Sequence, residues 1–290
     1  LFRSLKNRIN VEADYYIRNN FDLIGLIYTN GAGGEIAQYA NVASMKSNGV
    51  ELTVSTRNIN NKDFSWSTDF IFSKAVNRIT ELDSRSNVIQ LVSGAGYALE
   101  GYPVRSLFSI PFAGLNDEGL PTFINQDEEV TLTDINFQEF EKLGFLKYEG
   151  PSDPTITGSL GNNFSWHGLK LNVFITYSFG NKVRLNPVFA ARYTDLSSLP
   201  KEFKNRWMLP GDEEYTSVPV IASTREYQKY PSLNYAYNAY NYSDQRIADG
   251  GFVRLKEISL AYDLPPKWTE PLKISNMQLK LQATNLFLLY

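Results

Sequence analysis

A strict period-two alternation of apolar and polar residues runs through this chain, most clearly in SLGNNFSWHGLKLNVFITYSF at residues 159–179. Successive side chains of a strand point to opposite faces, so the pattern predicts two strands joined by a tight turn at His167-Gly168. Each strand has one apolar and one polar face, and the apolar face must meet either a protein core or lipid. The residues of the apolar face are Leu160, Phe164, Trp166, Leu169, Leu171, Val173, Ile175, Tyr177 and Phe179.

The same alternation recurs along the chain and predicts further strands. In one segment the parity of the apolar residues changes at Lys256-Glu257, which predicts a β-bulge because one extra residue flips the alternation. Aromatic residues make up 14% of the sequence, which also favours an all-β fold. The alternating segments are residues 8–19, 49–57, 64–77, 156–166, 169–180, 252–263 and 275–288.

The connections between these segments alternate between long and short. The long ones cover about residues 20–48, 78–155 and 181–251, and the short ones include NINNKD at 58–63 and the His167-Gly168 pair. An up-and-down membrane barrel has short periplasmic turns and long extracellular loops, so the order of connections favours that architecture. A soluble sandwich offers no reason for every long loop to lie at one end.

Aromatic residues and charges fit the same architecture. The triplet Phe-Ser-Trp occurs at residues 64–66 and 164–166, beside two predicted short turns, as the aromatic belt of a membrane interface requires. The predicted strands 156–166 and 169–179 match the roughly 9–11 residues that a tilted strand needs to cross hydrocarbon. The charged residues of the polar face then line a watery or plugged lumen; they are Glu12, Asp14, Arg18, Glu51, Arg57, Asp69, Lys170 and Lys280. Parity also places Phe174 on this face, where we expect it to pack against whatever fills the lumen.

Composition excludes several other classes of protein. The chain has no cysteine and one histidine, so a disulfide framework, a cysteine-based metal site and a histidine-rich metal site are excluded. Its net charge is −3 with basic residues scattered, which argues against a nucleic-acid partner. The chain begins at Leu1 without a signal peptide, so we expect a piece of a longer or processed protein.

Four stretches together resemble the carboxy-terminal part of the barrel in SusC/RagA-type TonB-linked (TonB-dependent) outer-membrane transporters. They are SNGVELTVSTRNINNKDFSWSTDFIFSKAVNRITEL at 47–82, GYPVRSLFSIPFAGLNDEGLPTF at 101–123, FVRLKEISLAYDLP at 252–265 and LQATNLFLL at 281–289. By this resemblance, residues 1–290 form part of an antiparallel transmembrane β-barrel of about 22 strands with a plugged lumen. By the same resemblance, we expect the plug, the early strands and the last strand to lie outside residues 1–290, and residues 101–124 to be either spanning strands or an extracellular hairpin.

The resemblance also implies a function and partners. It implies TonB-energised import of large nutrients, oligosaccharides or peptides, across the outer membrane of a Gram-negative, Bacteroidetes-like bacterium. The implied partners are a SusD-like surface lipoprotein, TonB acting through the absent amino-terminal region, outer-membrane lipid, and the glycan or peptide cargo. No enzymatic activity, catalytic residue, metal or cofactor is expected.

The candidate cargo contacts are aromatic residues of the third long loop. Aromatic rings stack on sugar rings, and tyrosine adds a hydrogen-bonding tip, although the same residues could simply pack the loop. Two acidic runs, Asp127-Glu128-Glu129 and Asp212-Glu213-Glu214, lack EF-hand spacing and are read as solvated loop charge. The candidates for substrate binding are Trp207, Tyr227, Tyr230, Tyr235, Tyr237, Tyr240 and Tyr242.

Two alternative functions remain open at this stage. The first is a soluble, secreted carbohydrate-binding module of all-β fold with aromatic loops. The second is a β-rich glycoside hydrolase that uses loop carboxylates, which would need two carboxyl groups about 5–10 Å apart in a cleft.

Overall fold

The computed structural model describes residues 2–4, 8–28, 34, 36–94, 96–189, 200–275 and 277–290. It is dominated by antiparallel strands, with short helices confined to the connections. No helix in these ranges is both long enough and apolar enough to cross a membrane. The strands are β1 (Phe2–Ser4), β2 (Ile9–Tyr28), β3 (Ala37–Asn60), β4 (Phe64–Leu82), β5 (Ser106–Ser109), β6 (Phe112–Leu115), β7 (Pro121–Ile124), β8 (Val130–Thr131), β9 (Lys147–Pro151), β10 (Ile156–Trp166), β11 (Leu169–Phe179), β12 (Lys182–Arg184), β13 (Ile247–Asp249), β14 (Phe252–Asp263) and β15 (Gln278–Leu288).

The helices are short and lie between strands. The α-helices are α1 (Val88–Val92), α2 (Thr224–Lys229), α3 (Leu233–Asn241) and α4 (Pro266–Thr269). Single 3-10 turns cover Lys201–Asn205, Asp212–Glu214, Asp244–Arg246 and Glu270–Leu272. Asn87 and Gln90 form a capping box at α1, with the Asn87 Oδ1 accepting from the Gln90 N–H at 3.1 Å.

One eight-stranded sheet forms the wall of the molecule, in the order β1-β2-β3-β4-β10-β11-β14-β15. Every neighbouring pair is antiparallel, and neighbours follow one another in the chain apart from the small strands of the long connections. All seven predicted segments are strands of this wall. The predicted fold class is confirmed: this is an up-and-down antiparallel sheet, part of a β-barrel wall.

The predicted turn and bulge are both present. His167 and Gly168 have φ angles of 46° and 86°, the left-handed geometry of a two-residue hairpin turn. Phe174 pairs with Glu257 and Ile175 pairs with Leu255, so Lys256 is the extra residue of a β-bulge. The bulge keeps Val253 and Leu255 on the same face as Ile258.

The predicted long loop over residues 20–48 is wrong in its extent. Strand β2 continues to Tyr28, and β3 already begins at Ala37. Register shifts between Asn20 and Ile24 interrupt the alternation, and Asp22 there has a φ angle of 55°. Because of these irregularities, the period-two alternation does not predict the outer half of the β2–β3 hairpin. Most of residues 29–36 lies outside the described residues.

The predicted long connection over residues 78–155 begins too early, because β4 continues to Leu82. Beyond Leu82, neither this connection nor the one over residues 181–251 adds a strand to the wall in its described part. Residues 101–124 form β5, which pairs with β9, together with β6 and β7, which pair in a separate three-stranded sheet with β8. The stretch therefore adds no strand to the wall; β6 and β7 form a hairpin outside it, and β5 pairs separately with β9.

The described residues of 83–155 and 181–251 pack together into what we call the loop unit. Its hydrophobic core contains residues from both connections, including Phe123 from β7 and Leu233 from α3, each with no exposed surface. Backbone hydrogen bonds join the two halves, since the Ile110 N–H donates to the Tyr242 carbonyl at 3.0 Å. The fully or nearly buried members are Val88, Leu91, Val92, Phe108, Ile110, Leu120, Phe123, Ile135, Leu146, Val188, Phe189, Phe203, Leu233, Ala236, Tyr237, Ala239 and Tyr240.

Candidate functional site

The wall has one continuous apolar face. Cross-strand pairing aligns a row of apolar side chains on seven strands, all at one level of the sheet. Side chains on this face are exposed to an unusual degree for apolar residues, with Tyr15 at 64% and Leu281 at 75%. The row consists of Val11, Val54, Phe70, Leu160, Ile175, Leu255 and Phe287.

Aromatic side chains mark both ends of the apolar face. Near the short turns, the Trp66 and Phe164 rings stack with centroids 5.7 Å apart. Toward the loop unit, Tyr177 stacks with Phe179 at 6.1 Å. The Tyr177 ring crosses β10 above Gly158, where any side chain would collide with it, and its hydroxyl donates to the Ile71 carbonyl at 2.9 Å. Aromatics therefore lie at both ends of the band, as the sequence predicts.

A polar network interrupts the apolar face close to the short turns. The Asn162 Oδ1 accepts from the Trp66 Nε1 at 3.0 Å and from the Thr68 hydroxyl at 2.8 Å. Asn58 donates from its Nδ2 to Thr68 at 2.7 Å and accepts from the Thr56 hydroxyl at 2.8 Å. The five side chains satisfy one another, which lets polar groups lie on an apolar surface at small cost.

The opposite face of the wall is polar. One row crosses Ser67, Asn163, Asn172 and Ser259, and the Asn172 Nδ2 donates to the Asn163 Oδ1 at 2.7 Å. A trough of about 330 Å³ lies on this face and includes Lys170, whose Nζ lies 2.6 Å from Asp263 Oδ2. Phe174 is on this face as well, paired between Gly161 and Glu257.

The predicted aromatic residues all lie in the loop unit, but they differ in exposure. Tyr237 and Tyr240 are buried, at 5% and 2% exposure, and burial raises the pKa of Tyr240 to about 12. Trp207 is nearly buried against Gly119 and donates from its Nε1 to Glu213 Oε2 at 2.8 Å. The Tyr235 side chain, at 51%, is the most exposed of the seven.

Tyr227, Tyr230 and Tyr242 are partly buried against the same core. The Tyr230 hydroxyl donates to Glu118 Oε2 at 3.1 Å, across the two halves of the loop unit. Glu118 also accepts from the Lys229 ammonium, and this bond is the largest cause that holds the Glu118 pKa below its ordinary value. These three tyrosines are therefore placed by contacts within the protein.

A shallow groove opens on one side of α3. It has a volume of about 220 Å³ and brings together aromatic rings and amide side chains. Three of the predicted residues line it, together with asparagines that present both donors and acceptors. The lining residues are Phe189, Tyr227, Asn234, Tyr235, Tyr237, Asn238 and Asn241.

The two acidic runs have structural partners. Asp127 forms an ion pair with Lys142 at 2.6 Å, and Asp212 accepts from the Leu209 N–H at 2.9 Å. Glu213 accepts from Trp207, and that bond is the largest cause lowering its pKa. Within the described ranges, no group of three or more acidic or histidine side chains is arranged to hold a metal ion.

Sequence reasoning missed the polar network and the shared core of the loop unit. The network had a readable signal, because Thr56, Thr68 and Asn162 have the parity of the apolar face. The core had none, since residues more than a hundred positions apart, such as Val88 and Leu233, build it together.

The two-faced antiparallel wall with aromatic ends defines the class, a segment of a membrane β-barrel wall. No protein-family model matches the chain. Three curated relatives from Formosa agariphila match the chain. TonB-dependent receptor P3 is 22% identical over 97% of this chain, TonB-dependent receptor P39 is 23% identical over 98%, and TonB-dependent receptor P26 is 24% identical over 97%. The chain spans only 28% to 30% of the length of these relatives.

Solved structures agree with this class. A chain of the RagAB peptide transporter superposes with a TM-score of 0.75 at 23% identity, covering 99% of this chain and 30% of its own length. The RagAB peptide importer in its closed-closed state gives a TM-score of 0.73 at 24% identity, covering 99% of this chain and 31% of its own. The predicted resemblance to SusC/RagA-type TonB-linked transporters is confirmed. These relatives are named as receptors and transporters rather than enzymes.

Proposed function

We propose that this chain forms part of the wall and the extracellular loops of an outer-membrane transporter that imports large nutrients. The observation that carries the proposal is the apolar face of the wall, whose row from Val11 to Phe287 crosses seven strands and which exposes large apolar side chains such as Tyr15 and Leu281. In water such an exposed apolar face is unfavourable. In a bilayer it contacts the acyl chains of the lipids, which are also apolar. The expected location is the outer membrane of a Gram-negative bacterium.

In this proposal the short turns face the periplasm and the loop unit faces the outside of the cell. The 11 residues of β10 suffice to cross the hydrocarbon, while the 24 residues of β3 continue well beyond it. The polar face, with Lys170 and Asp263, lines the lumen. The loop unit then lies above the lumen, where an incoming cargo is first met.

The proposed cargo contact is the groove beside α3. Tyr235 offers an exposed ring, and Asn234 and Asn238 offer amide groups beside it. This combination suits an oligosaccharide or a peptide, since both present apolar faces next to hydrogen-bonding groups. Trp207 and Tyr240, held in the core, would support the groove rather than stack on cargo.

The proposed partners are a SusD-like surface lipoprotein and TonB. The loop unit exposes apolar side chains at its surface, among them Met208 at 60% and Leu209 at 68%. A lipoprotein seated on the loop unit would cover these side chains. TonB would supply the energy for import through parts of the transporter outside this chain.

The soluble alternatives fit the same observations less well. A carbohydrate-binding module in water would leave Ile17, Leu279 and Leu281 exposed at 56%, 57% and 75%. A glycoside hydrolase would use its carboxylates for catalysis, but Asp127, Asp212 and Glu213 are engaged in ion pairs, backbone contacts and a tryptophan contact.

Cell fractionation tests the location. The full-length protein that carries this chain should be recovered in the outer-membrane fraction and should need detergent for extraction. Recovery in the aqueous phase, monodisperse without detergent, would overturn the proposal.

Uptake of labelled cargo tests the transport activity. Cells with the full-length protein should accumulate a fluorescent oligosaccharide or peptide, and dissipation of the proton gradient should stop accumulation. Tyr235→Ala should slow uptake about threefold to tenfold, the effect of one aromatic contact. Tyr215→Ala is the matched control, because Tyr215 is 87% exposed but does not line the groove. Equal effects of the two variants would remove the groove from the proposal.

A further inference from the structure

Three basic side chains lie on the apolar face, on the side of the loop unit. Lys46 and Arg78 are direct cross-strand partners on β3 and β4. Lys74 lies on the same face of β4, four residues before Arg78, and pairs with Val50 and Ile156. All three are exposed. These cations face outward, away from the lumen, at the outer end of the apolar band.

The pairing of Lys46 with Arg78 is unfavourable without an anion. Like charges directly opposite one another on a sheet, with Cβ atoms about 5 Å apart, destabilise it. Among the described residues, none of the side chains of Lys46, Lys74 and Arg78 forms an ion pair. The carboxylate of Glu81 accepts from the Ser44 hydroxyl at 3.0 Å instead. The cluster therefore keeps a net positive charge.

An apolar groove adjoins the cations. It has a volume of about 450 Å³, and its lining combines Lys46 and Arg78 with Tyr15, Ile17 and Val76. Ile17 and Val76 are 56% and 40% exposed. The groove thus offers hydrocarbon contacts along the band and positive charge at its outer end.

We infer that this groove binds a phosphate-bearing lipid of the outer leaflet. The phosphate group would lie against Lys46 and Arg78, and an acyl chain would lie along Ile17 and Val76. Lys74, two residues before Val76 on β4, would add positive charge beside the groove. Guanidinium groups bind phosphate through paired hydrogen bonds, and lysine extends its ammonium group toward the interface from an apolar position. Charge complementarity together with the adjoining apolar lining selects a lipid over free phosphate. The inference rests on the proposed function, because it requires this face to meet the membrane.

Thermal unfolding of the full-length protein in neutral detergent tests the inference. The probe is purified diphosphoryl lipid A added to the micelles, and inorganic phosphate is added in a parallel series. Lipid A should raise the unfolding temperature in a saturable way, and inorganic phosphate should not. An equal response to both would show a free-anion site and overturn the inference.

Charge-removing variants locate the site. Lys46→Gln, Lys74→Gln and Arg78→Gln combined should raise the half-saturating lipid A concentration about a hundredfold, since each basic residue near an anionic surface contributes about fivefold. The matched control combines Arg18→Gln, Arg57→Gln and Lys280→Gln, an equal change of charge on the polar face. An unchanged response of the first variant, or an equal loss in both, would overturn the inference.

Two further comparisons keep the test decisive. If the triple variant fails to reach the membrane, the single variants replace it, each expected to weaken binding about fivefold. If the wild-type protein is absent from the outer membrane, the proposed function fails and the inference fails with it. If it is an outer-membrane protein that does not respond to lipid A, only the lipid site fails.

Discussion

Asn162 is the residue on which the polar network of the apolar face depends. Its Oδ1 accepts from both Trp66 and Thr68, on a surface otherwise made of apolar side chains. Asn162→Ala leaves both donors without this partner, at a cost of about 1–3 kcal/mol for each buried group. We expect urea unfolding of the full-length protein in detergent to shift to clearly lower denaturant.

Asn163→Ala is the control for this prediction. Asn163 is the next residue of β10 and also accepts one side-chain hydrogen bond, from Asn172, but on the polar face. Water can replace that bond, so the expected loss is below about 1 kcal/mol. Similar losses in the two variants would mean that the network is solvated and that the apolar face does not meet lipid there.

Glu118 joins the two halves of the loop unit and gives it a pH dependence. Hydrogen bonds from Lys229 and Tyr230 lower the Glu118 pKa below its ordinary value of 4.5. A lowered folded-state pKa stabilises the folded state at neutral pH, and this contribution disappears as the pH falls below the ordinary value. The effect is small, because water screens an exposed ion pair.

The measurement compares wild type with Glu118→Gln by thermal unfolding between pH 7 and pH 3. We expect the wild type to be more stable at pH 7 and the two curves to converge at the acid end. A difference that stays constant across this range would show that the contact does not depend on the Glu118 charge.

At the scale of elements, alternation in the sequence predicts the wall well. It finds seven strands, the His167-Gly168 turn and the bulge at Lys256, because each depends on parity within one strand. It fails where parity is interrupted, as between Asn20 and Ile24, and there β2 and β3 are longer than predicted. Strand pairing outside the alternating segments needs long-range information that a period of two does not contain.

The bulge at Lys256 gives a prediction about assembly. Deletion of Lys256 would remove the extra residue, so that Val253, Leu255, Ile258 and Leu260 alternate regularly on the apolar face and keep their partners on β11. We expect the deleted protein to reach the outer membrane in near-normal amounts. Immunoblots of membrane fractions, with a heat-shift assay for folded barrel, measure these amounts.

Lys256→Ala is the matched variant, because it keeps the extra residue. It removes only the hydrogen bond from the Lys256 Nζ to Asn285 Oδ1 at 2.8 Å. We expect near-normal amounts in the membrane. Loss of the deletion variant from the membrane, with Lys256→Ala present in normal amounts, would mean that assembly needs the bulge itself.

At the scale of the whole molecule, the loop unit has its own hydrophobic core, whose buried members include no residue of the wall strands. Leu233 in α3 is fully buried in the loop unit, so Leu233→Ala should destabilise that unit by about 2–5 kcal/mol. The wall should remain folded, since its strands are paired independently of that core. Protease treatment of intact cells should cut the loops of this variant, while the membrane-embedded strands stay protected.

Tyr235→Ala serves as the control on the same helix. Tyr235 is 51% exposed, so its removal should leave protease resistance close to that of the wild type. Cleavage of both variants at the same rate would mean that α3 does not stabilise the loop unit. Loss of the barrel itself in Leu233→Ala would mean that the two parts fold as one.

The sequence predicts much less of the loop unit than of the wall. It identifies an aromatic-rich stretch but not which rings are buried, because Tyr237 and Tyr235 differ only in the side of α3 that they occupy. Burial there depends on the other half of the unit, through residues such as Phe123 and Leu120. The sequence pattern of one half of the loop unit does not predict which residues of the other half pack against it.

The shared core has a mechanical consequence. The first half of the loop unit is bonded to the end of β4, through the Ile79 N–H and the Tyr102 carbonyl at 2.9 Å. The second half is connected to β11 and β14 through the paired strands β12 and β13. The unit is therefore a cross-brace over β4, β10, β11 and β14. A force applied to one of these strands is transmitted through the loop unit to the others. This part of the barrel rim therefore resists shear as one stiff segment.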